Sequence, residues 1–337
     1  MYSLFQSLLF QLDPETAHHL TLQLMRLGGV QPINALLYLL NYTRARPVEA
    51  FGLQFKNPVG LAAGFDKDST AVRGLSALGF GHIEVGTITP LPQPGNPKPR
   101  VFRLVEDRAV INRMGFPGRG AAAVAKHLSK LKRSAVILGV NLGKNKDTPN
   151  EEAVFDYLAL LQNFAPLADY LTINVSSPNT VGLRRLQGRD ALERLLSELR
   201  QQRHYEQIRL QKHLPLLVKL APDLSDDELG DAVAAILDKK MDGIVATNTT
   251  LARVGLRSVL GAESGGLSGG PLGVRSEAVL EKIVRQVDGR VPIISVGGIM
   301  GPEDAKRRLD MGATLVQVYT GLIYRGPGLV REIVEAI

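Results

Sequence analysis

Pro215-Leu216-Leu217-Val218-Lys219-Leu220 is an apolar, β-rich run, followed by a helical pattern from Ser225 to Lys239 and then by Gly243-Ile244-Val245-Ala246-Thr247. The reading is strand, helix, strand. Working outward, similar runs occur at 59–63, 82–87, 136–141, 170–175, 291–296 and 314–319. Helical patterns at 69–78, 119–131, 151–165, 190–211, 276–287 and 302–310 separate them. Eight buried strands alternating with helices predict an α/β fold, a (β/α)8 TIM barrel, from Pro47 to the last residue. A doubly wound open sheet is the competitor. No G-x-G-x-x-G follows the first strand, and polar residues end nearly every strand, so the barrel is preferred. The short runs 50–55 and 101–104 read as a capping hairpin and an excursion between barrel strands.

The first 46 residues differ. Phe5, Leu8, Leu9 and Leu12 fall at helical spacing; Asp13-Pro14-Glu15 reads as an N-cap, a first-turn proline and an acid near the positive helix end. A second helix carries Ala17, Leu20, Leu24 and Leu27 on one face and stops at Gly28-Gly29, and a third runs from about Pro32 to Leu40. Leu22 and Met25 lie off the main stripe, so one seam does not bury all the apolar surface. The choice is between a helical cap on the barrel and a helical pair that dips into lipid headgroups.

With 337 residues, 45% apolar and 22% charged, the chain is neither disordered nor fibrous. Cysteine is absent, which excludes disulfides, thiolate metal sites, iron–sulfur clusters and a cysteine nucleophile or base. The net charge is +7, but the basic residues are spread along helices such as 184–212 with few aromatics, which argues against nucleic acid. A membrane surface or an anionic substrate is the better match. No stretch has the roughly 20 apolar residues of a bilayer span. Asp13 and Glu15 interrupt the start, and the first basic residue is Arg26, which argues against a signal or transit peptide.

In such a barrel the chemistry sits at the C-terminal strand ends. Those ends carry Gly64, Thr87, Asn141, Asn174, Lys219, Thr247 with Asn248, Gly297-Gly298 and Tyr319-Thr320. Carboxylates and histidines are nearly missing, so paired-acid hydrolysis and a His/Asp metal site both fit poorly; no metal is expected. Neutral hydrogen-bonding groups suit a flat heterocycle, a flavin or a nucleobase-like substrate. Gly297-Gly298, Thr320-Gly321 and 265–270 at one barrel end suit a phosphate. Lys219 in an apolar strand either snorkels, forms a Schiff base, or meets a cofactor that becomes anionic. Lys67 alone reads as a loop charge, and Ser177 in Ser-Ser-Pro-Asn reads first as a turn residue.

Ala62-Ala63-Gly64-Phe65-Asp66-Lys67-Asp68, Asn112-Arg113-Met114-Gly115-Phe116, Gly143-Lys144-Asn145-Lys146, Asn174-Val175-Ser176-Ser177-Pro178-Asn179-Thr180 and Ala246-Thr247-Asn248-Thr249-Thr250 stand in this order. Together they resemble the class 2, membrane-associated dihydroorotate dehydrogenases, from about Phe10 to the end. The resemblance implies one FMN per chain, oxidation of (S)-dihydroorotate to orotate in pyrimidine biosynthesis, and a membrane quinone as electron acceptor. It implies FMN contacts at Ala63, Gly64, Phe65, Asp66, Lys67, Thr87, Asn141, Asn174, Lys219 and Thr247, with the phosphate on Gly269, Gly298, Tyr319 and Thr320. Substrate contacts are implied for Lys67, Asn112, Arg113, Met114, Gly115, Phe116, Asn174, Asn179, Asn248 and Thr249, with Ser177 as the base. A serine's own pKa is far too high for a free base, so its deprotonation needs water or a neighbour such as Thr180.

His18, in Leu-Asp-Pro-Glu-x-x-His, and Arg103 match residues near the family's quinone path. Residues 1–46 become a membrane and quinone-entrance segment and 47–337 the catalytic barrel, expected as a monomer on the cytoplasmic side of the cell membrane. Every residue assigned to FMN or substrate follows Pro47, so the first half-reaction is expected to be independent of the segment. Class 1 relatives and dihydrouridine synthases rely on a cysteine that this chain lacks. Two departures stand out: Ser69 where the family has glycine, and Gly270 where it has arginine. A Schiff-base aldolase using Lys219 and a non-catalytic peripheral membrane protein are the alternative readings.

Overall fold

The computed structural model describes residues 2–131 and 136–337, with side chains from Gln6 onward. The side chain of Phe5 therefore lies outside the described residues. Three helices open the chain: α1 (Tyr2–Gln11), α2 (Pro14–Gly28) and α3 (Ile33–Leu40). Asp13 caps α2 by accepting the Thr16 N–H at 2.9 Å. Then come β1 (Val48–Ala50), β2 (Leu53–Phe55), β3 (Val59–Leu61), α4 (Val72–Ser76), β4 (His82–Ile88), β5 (Val101–Leu104), β6 (Ala109–Asn112), α5 (Gly120–Ser129), β7 (Ile137–Leu142), α6 (Ala153–Phe164), β8 (Tyr170–Asn174), α7 (Arg189–Leu210) and β9 (Leu216–Leu220). The remainder is α8 (Asp226–Asp238), β10 (Gly243–Ala246), β11 (Gly266–Gly269), α9 (Gly273–Val287), β12 (Ile293–Val296), α10 (Pro302–Asp310), β13 (Leu315–Val318), α11 (Thr320–Arg325) and α12 (Leu329–Ala336).

The strands β3, β4, β7, β8, β9, β10, β12 and β13 close into a parallel barrel, β13 pairing back onto β3. Both faces of each strand are covered, which is why they read as continuous apolar runs. The β1–β2 hairpin closes the barrel base: Phe51 and Phe55 pack with Tyr170, Leu217, Val245 and Leu315 in one core cluster. The excursion is larger than the sequence suggests. Strands β5, β6 and β11 form a separate antiparallel sheet in the order β11-β6-β5, pairing Asn112 with Gly266 across 154 residues. Helices α11 and α12, after the eighth strand, are likewise absent from the sequence reading; α12 buries Leu329, Val330, Ile333 and Val334.

The helical segment packs on the barrel through only the first residue of the α2 stripe read in the sequence, together with two residues off it. Ala17 is buried, and Leu22 and Met25 rest on the main core, whereas Leu20, Leu24 and Leu27 are exposed. Leu8, Ile33, Leu36, Leu39 and Leu40 are also exposed, so the segment is docked on one side and apolar on the other. No helix among the described residues is long and apolar enough to cross a membrane.

Candidate active site

At the C-terminal rim the polar strand ends form one hydrogen-bonded ring. Thr87 Oγ1 donates to Asn141 Oδ1 at 2.5 Å, and Asn174 Nδ2 donates to the same oxygen at 3.0 Å. Asn248 Nδ2 reaches Ser176 Oγ at 2.9 Å, and Ser176 Oγ donates to Asn174 Oδ1 at 3.0 Å. Below this ring Glu84, fully buried, accepts from Asn141 Nδ2 (2.7 Å), Tyr170 OH (3.1 Å) and Gln317 Nε2 (3.0 Å). Each amide in the ring is thus oriented by a partner on another strand, and a buried carboxylate underlies the whole.

Lys219 is 5% exposed and, among the described residues, its side-chain ammonium has no hydrogen-bond partner. Burial pulls its pKa down, while the Glu84 carboxylate acts the other way. A buried ammonium with no bonded acceptor needs an anion or an electron-rich group in front of it. The space in front of it is one cavity of about 620 Å3. It begins at Ala63, Gly64, Lys219 and Thr247, passes Ser177, Asn112 and Asn179, and continues between α1, α2 and the barrel past Phe10, His18 and Leu24.

The glycine loops are shaped for close approach. Gly269 and Gly298 line the cavity with φ of 98° and 75°, and a Cβ on Gly298 would lie 2.2 Å from the Gly273 backbone. Thr320 Oγ1 donates to Ser268 Oγ at 2.8 Å beside them. An unpartnered lysine at one end and bare backbone at the other fit a flat, phosphate-bearing cofactor. A Cβ on Gly270 would meet only the Asp107 carbonyl, at 3.5 Å, an ordinary contact. Ser69 sits at φ 55°, a conformation glycine adopts without cost, and its hydroxyl bonds the Asp68 carbonyl at 2.7 Å.

Ser177 is buried on the cavity wall, its Oγ accepting the Asn179 N–H at 3.2 Å. Thr180 Oγ1, nearby in the chain, is buried without a partner. Asn179 Nδ2 donates to Asn112 Oδ1 at 3.1 Å, setting two amides edge to edge. Lys67 Nζ donates to the Gly64 carbonyl at 2.7 Å. Burial lowers its pKa to about 8, with Glu15 and Asp68 opposing the drop.

Ala63, Gly64, Phe65, Thr87, Tyr319, Met114, Gly115, Phe116 and Thr249 also line the cavity. The side chains of three further residues named from the resemblance bond groups of the protein itself. The Asp66 carboxylate accepts the Thr70 and Ala71 N–H groups, each at 2.8 Å, and shapes its loop. Arg113 pairs with Glu263 at 2.6 Å and lies over the Phe102 ring. Asn141 stands behind Thr87 and Asn174 as their support. Glu84 and Gln317 are absent from the strand-end reading, although a charge inside His82-Ile83-Glu84-Val85 is the same signal that marks Lys219.

The two quinone-path candidates reach the outer part of the cavity. His18 is half-buried, edge-on to Phe65 at 5.1 Å between ring centroids. Burial first, and then Lys67, push its pKa down to about 3, so its ring is neutral. Arg103 bonds the end of α1 at Phe10. Among the described residues no group of three His, Cys, Asp or Glu could hold a metal.

Amides, one lysine and glycine turns at the mouth of a closed barrel, opening into an apolar throat, define a cofactor-binding barrel enzyme. Residues 47–337 match the family model described as Dihydroorotate dehydrogenase, and the chain belongs to that family. A "Dihydroorotate dehydrogenase (quinone)" of Acidithiobacillus ferrooxidans is 52% identical over 342 residues, covering 100% of this chain and 94% of that protein. One from Azotobacter vinelandii is 49% identical over 338 residues, covering 100% and 96%. Among solved structures, a ligand-free DHODH of Eimeria tenella is 41% identical with a TM-score of 0.87, covering 96% of this chain and 94% of that one.

Proposed function

We propose that this chain oxidises dihydroorotate to orotate on a bound FMN and passes the electrons to a quinone drawn from a membrane, serving pyrimidine synthesis. The observation that carries the reading is the single cavity joining Lys219 and the amide ring to the apolar throat between α1, α2 and the barrel. Relatives bearing the name "Dihydroorotate dehydrogenase (quinone)", matched over the whole of this chain and 94–96% of their own length, support it. FMN, when bound, supplies the hydride acceptor.

The chain's own residues supply the rest. Ala63, Gly64, Thr87, Asn174 and Thr247 bind the flat ring, and Gly269, Gly298, Tyr319 and Thr320 take the phosphate. Lys67 pairs with the substrate carboxylate, and Asn112, Asn179, Asn248 and Thr249 satisfy its amide edges. Ser177 removes the C5 proton. A serine is too weak an acid to work alone, so Thr180, whose hydroxyl has no partner, is the candidate relay. Lys219 is the cation that meets the negative charge electrons bring to this end of the cavity. His18 and Arg103 line the throat through which a quinone tail enters, and the exposed leucines of α1 and α3 rest on lipid.

The purified protein should be yellow, and dihydroorotate without an acceptor should bleach it, with colour returning on addition of a long-tailed quinone. A colourless protein that is trapped on Lys219 by borohydride with a keto substrate would establish the aldolase reading instead.

A further inference from the structure

Arg100 occupies an unusual position between the helical segment and the proposed dihydroorotate site. Its Nε and Nη2 donate to the two oxygens of Glu15 on α2 at 3.1 and 2.7 Å, and both side chains are buried. Its Nη1 donates to the carbonyls of Pro94 and Asn96 at 2.7 and 2.9 Å. Asn96 in turn donates through Nδ2 to the Arg113 and Asn179 carbonyls, and its own N–H goes to the Met114 carbonyl at 2.9 Å. Gly115 packs so closely on the Asn96 amide that a Cβ there would lie within 2.8 Å of it. Asn179 then bonds Asn112 and Ser177. Without the Glu15 carboxylate, a buried guanidinium would lose half its fork and have to turn, pulling on the carbonyls of residues 94–96.

We propose that the Glu15–Arg100 pair makes the seating of α2 a condition for an ordered dihydroorotate site, so that the helical segment acts on both half-reactions. Glu15 and Arg100 are positioning residues: Glu15 lines the outer cavity, neither side chain bonds Ser177, and their effect passes through Asn96 to Asn112, Met114, Gly115 and Asn179. Glu15 also contributes favourable charge at Lys67, where burial works against protonation. The inference rests on the function proposed above and runs against independence of the barrel from residues 1–46.

The test is orotate titration of the FMN-loaded, full-length protein, followed by the visible flavin spectrum. Glu15→Gln should weaken orotate binding by about 10-fold or more while FMN content stays unchanged. Glu15→Asp should recover part of the loss, and Arg100→Lys should not, because an ammonium cannot reproduce the fork. Asn96→Ala should weaken orotate while leaving vesicle binding intact, which a docking role for the pair alone would not produce. A folded, yellow Glu15→Gln protein with wild-type orotate affinity overturns the proposal, however poorly it reacts with quinone. If that variant fails to fold, unchanged orotate affinity in Arg100→Lys overturns it equally. Wild-type protein that does not bind orotate at all would sink the proposed function; wild-type binding with unaltered variants would sink only this inference.

Discussion

Arg103 grips Phe10 twice: its Nη1 donates to the Phe10 carbonyl at 3.1 Å, and its guanidinium lies 4.2 Å over the Phe10 ring. The same ring meets Tyr324 edge-on at 5.4 Å, so the end of α1 is pinned between a β5 arginine and an α11 tyrosine at the edge of the cavity. Each of the two Arg103 contacts is of the order of 1 kcal/mol. Arg103→Ala should therefore slow reoxidation by a long-tailed quinone about 10-fold and leave anaerobic reduction by dihydroorotate nearly unchanged. Stopped-flow measurement of both half-reactions checks this; equal slowing would show that Arg103 does not act on the quinone side alone.

Ser177→Ala removes a hydroxyl from the cavity wall without touching the glycine loops or Lys219. FMN should stay bound, and flavin reduction should fall by about 10²-fold or more, as for loss of a general base. Ser177→Cys should keep part of the rate with its pH dependence moved to lower pH, since a thiol is the more acidic group. Normal reduction kinetics in Ser177→Ala would take the serine out of the mechanism.

Lys67 and Lys219 should fail in different ways. Lys219→Ala removes the cation at the ring end and should lower the flavin potential or its occupancy. Lys67→Ala should stay yellow and lose substrate affinity. Burial sets the Lys67 pKa at about 8, so the free enzyme carries the charge below that pH and loses it above. Dihydroorotate affinity should hold below pH 8 and then weaken by up to about 10-fold per pH unit, a dependence absent from Lys67→Ala. A flat affinity profile through pH 9 in the wild type would remove the carboxylate pairing.

Leu36 and Leu39 on α3 are 57% and 71% exposed, so replacing both with Ser leaves the core untouched. Each leucine buried in lipid is worth about 1.5–3 kcal/mol. The double variant should melt like the wild type and bind anionic vesicles at least about 10²-fold more weakly. Unchanged pelleting with vesicles would mean that this face does not meet lipid.

Much of the site is legible because parallel barrel strands are apolar throughout and turn polar only where they end. Thr87, Asn174, Lys219 and Thr247 announce themselves in that way, and the structure brings all four to one cavity. Asn141 is announced in the same way, and in the structure its side chain, like those of Asp66 and Arg113, also bonds groups of the protein itself. Chain position alone does not distinguish a residue facing a ligand from one that holds its neighbour.

Local patterns carry the alternation of eight buried strands with helices, the three leading helices and the Asp13 cap, because each follows from periodicity or from a bond over three or four residues. Closure of the barrel, through β13 on β3, and the contacts that join the parts arise only in the folded molecule. Glu15 meets Arg100 across 85 residues, β6 meets β11 across 154, and α2 rests on Leu22 and Met25 rather than on its leucine stripe. Such contacts repeat with no period and are selected by which buried charge or apolar face finds a partner once the barrel has closed. The continuity of the cavity from Lys219 to Leu24 depends on that docking, and no stretch of the chain encodes it alone.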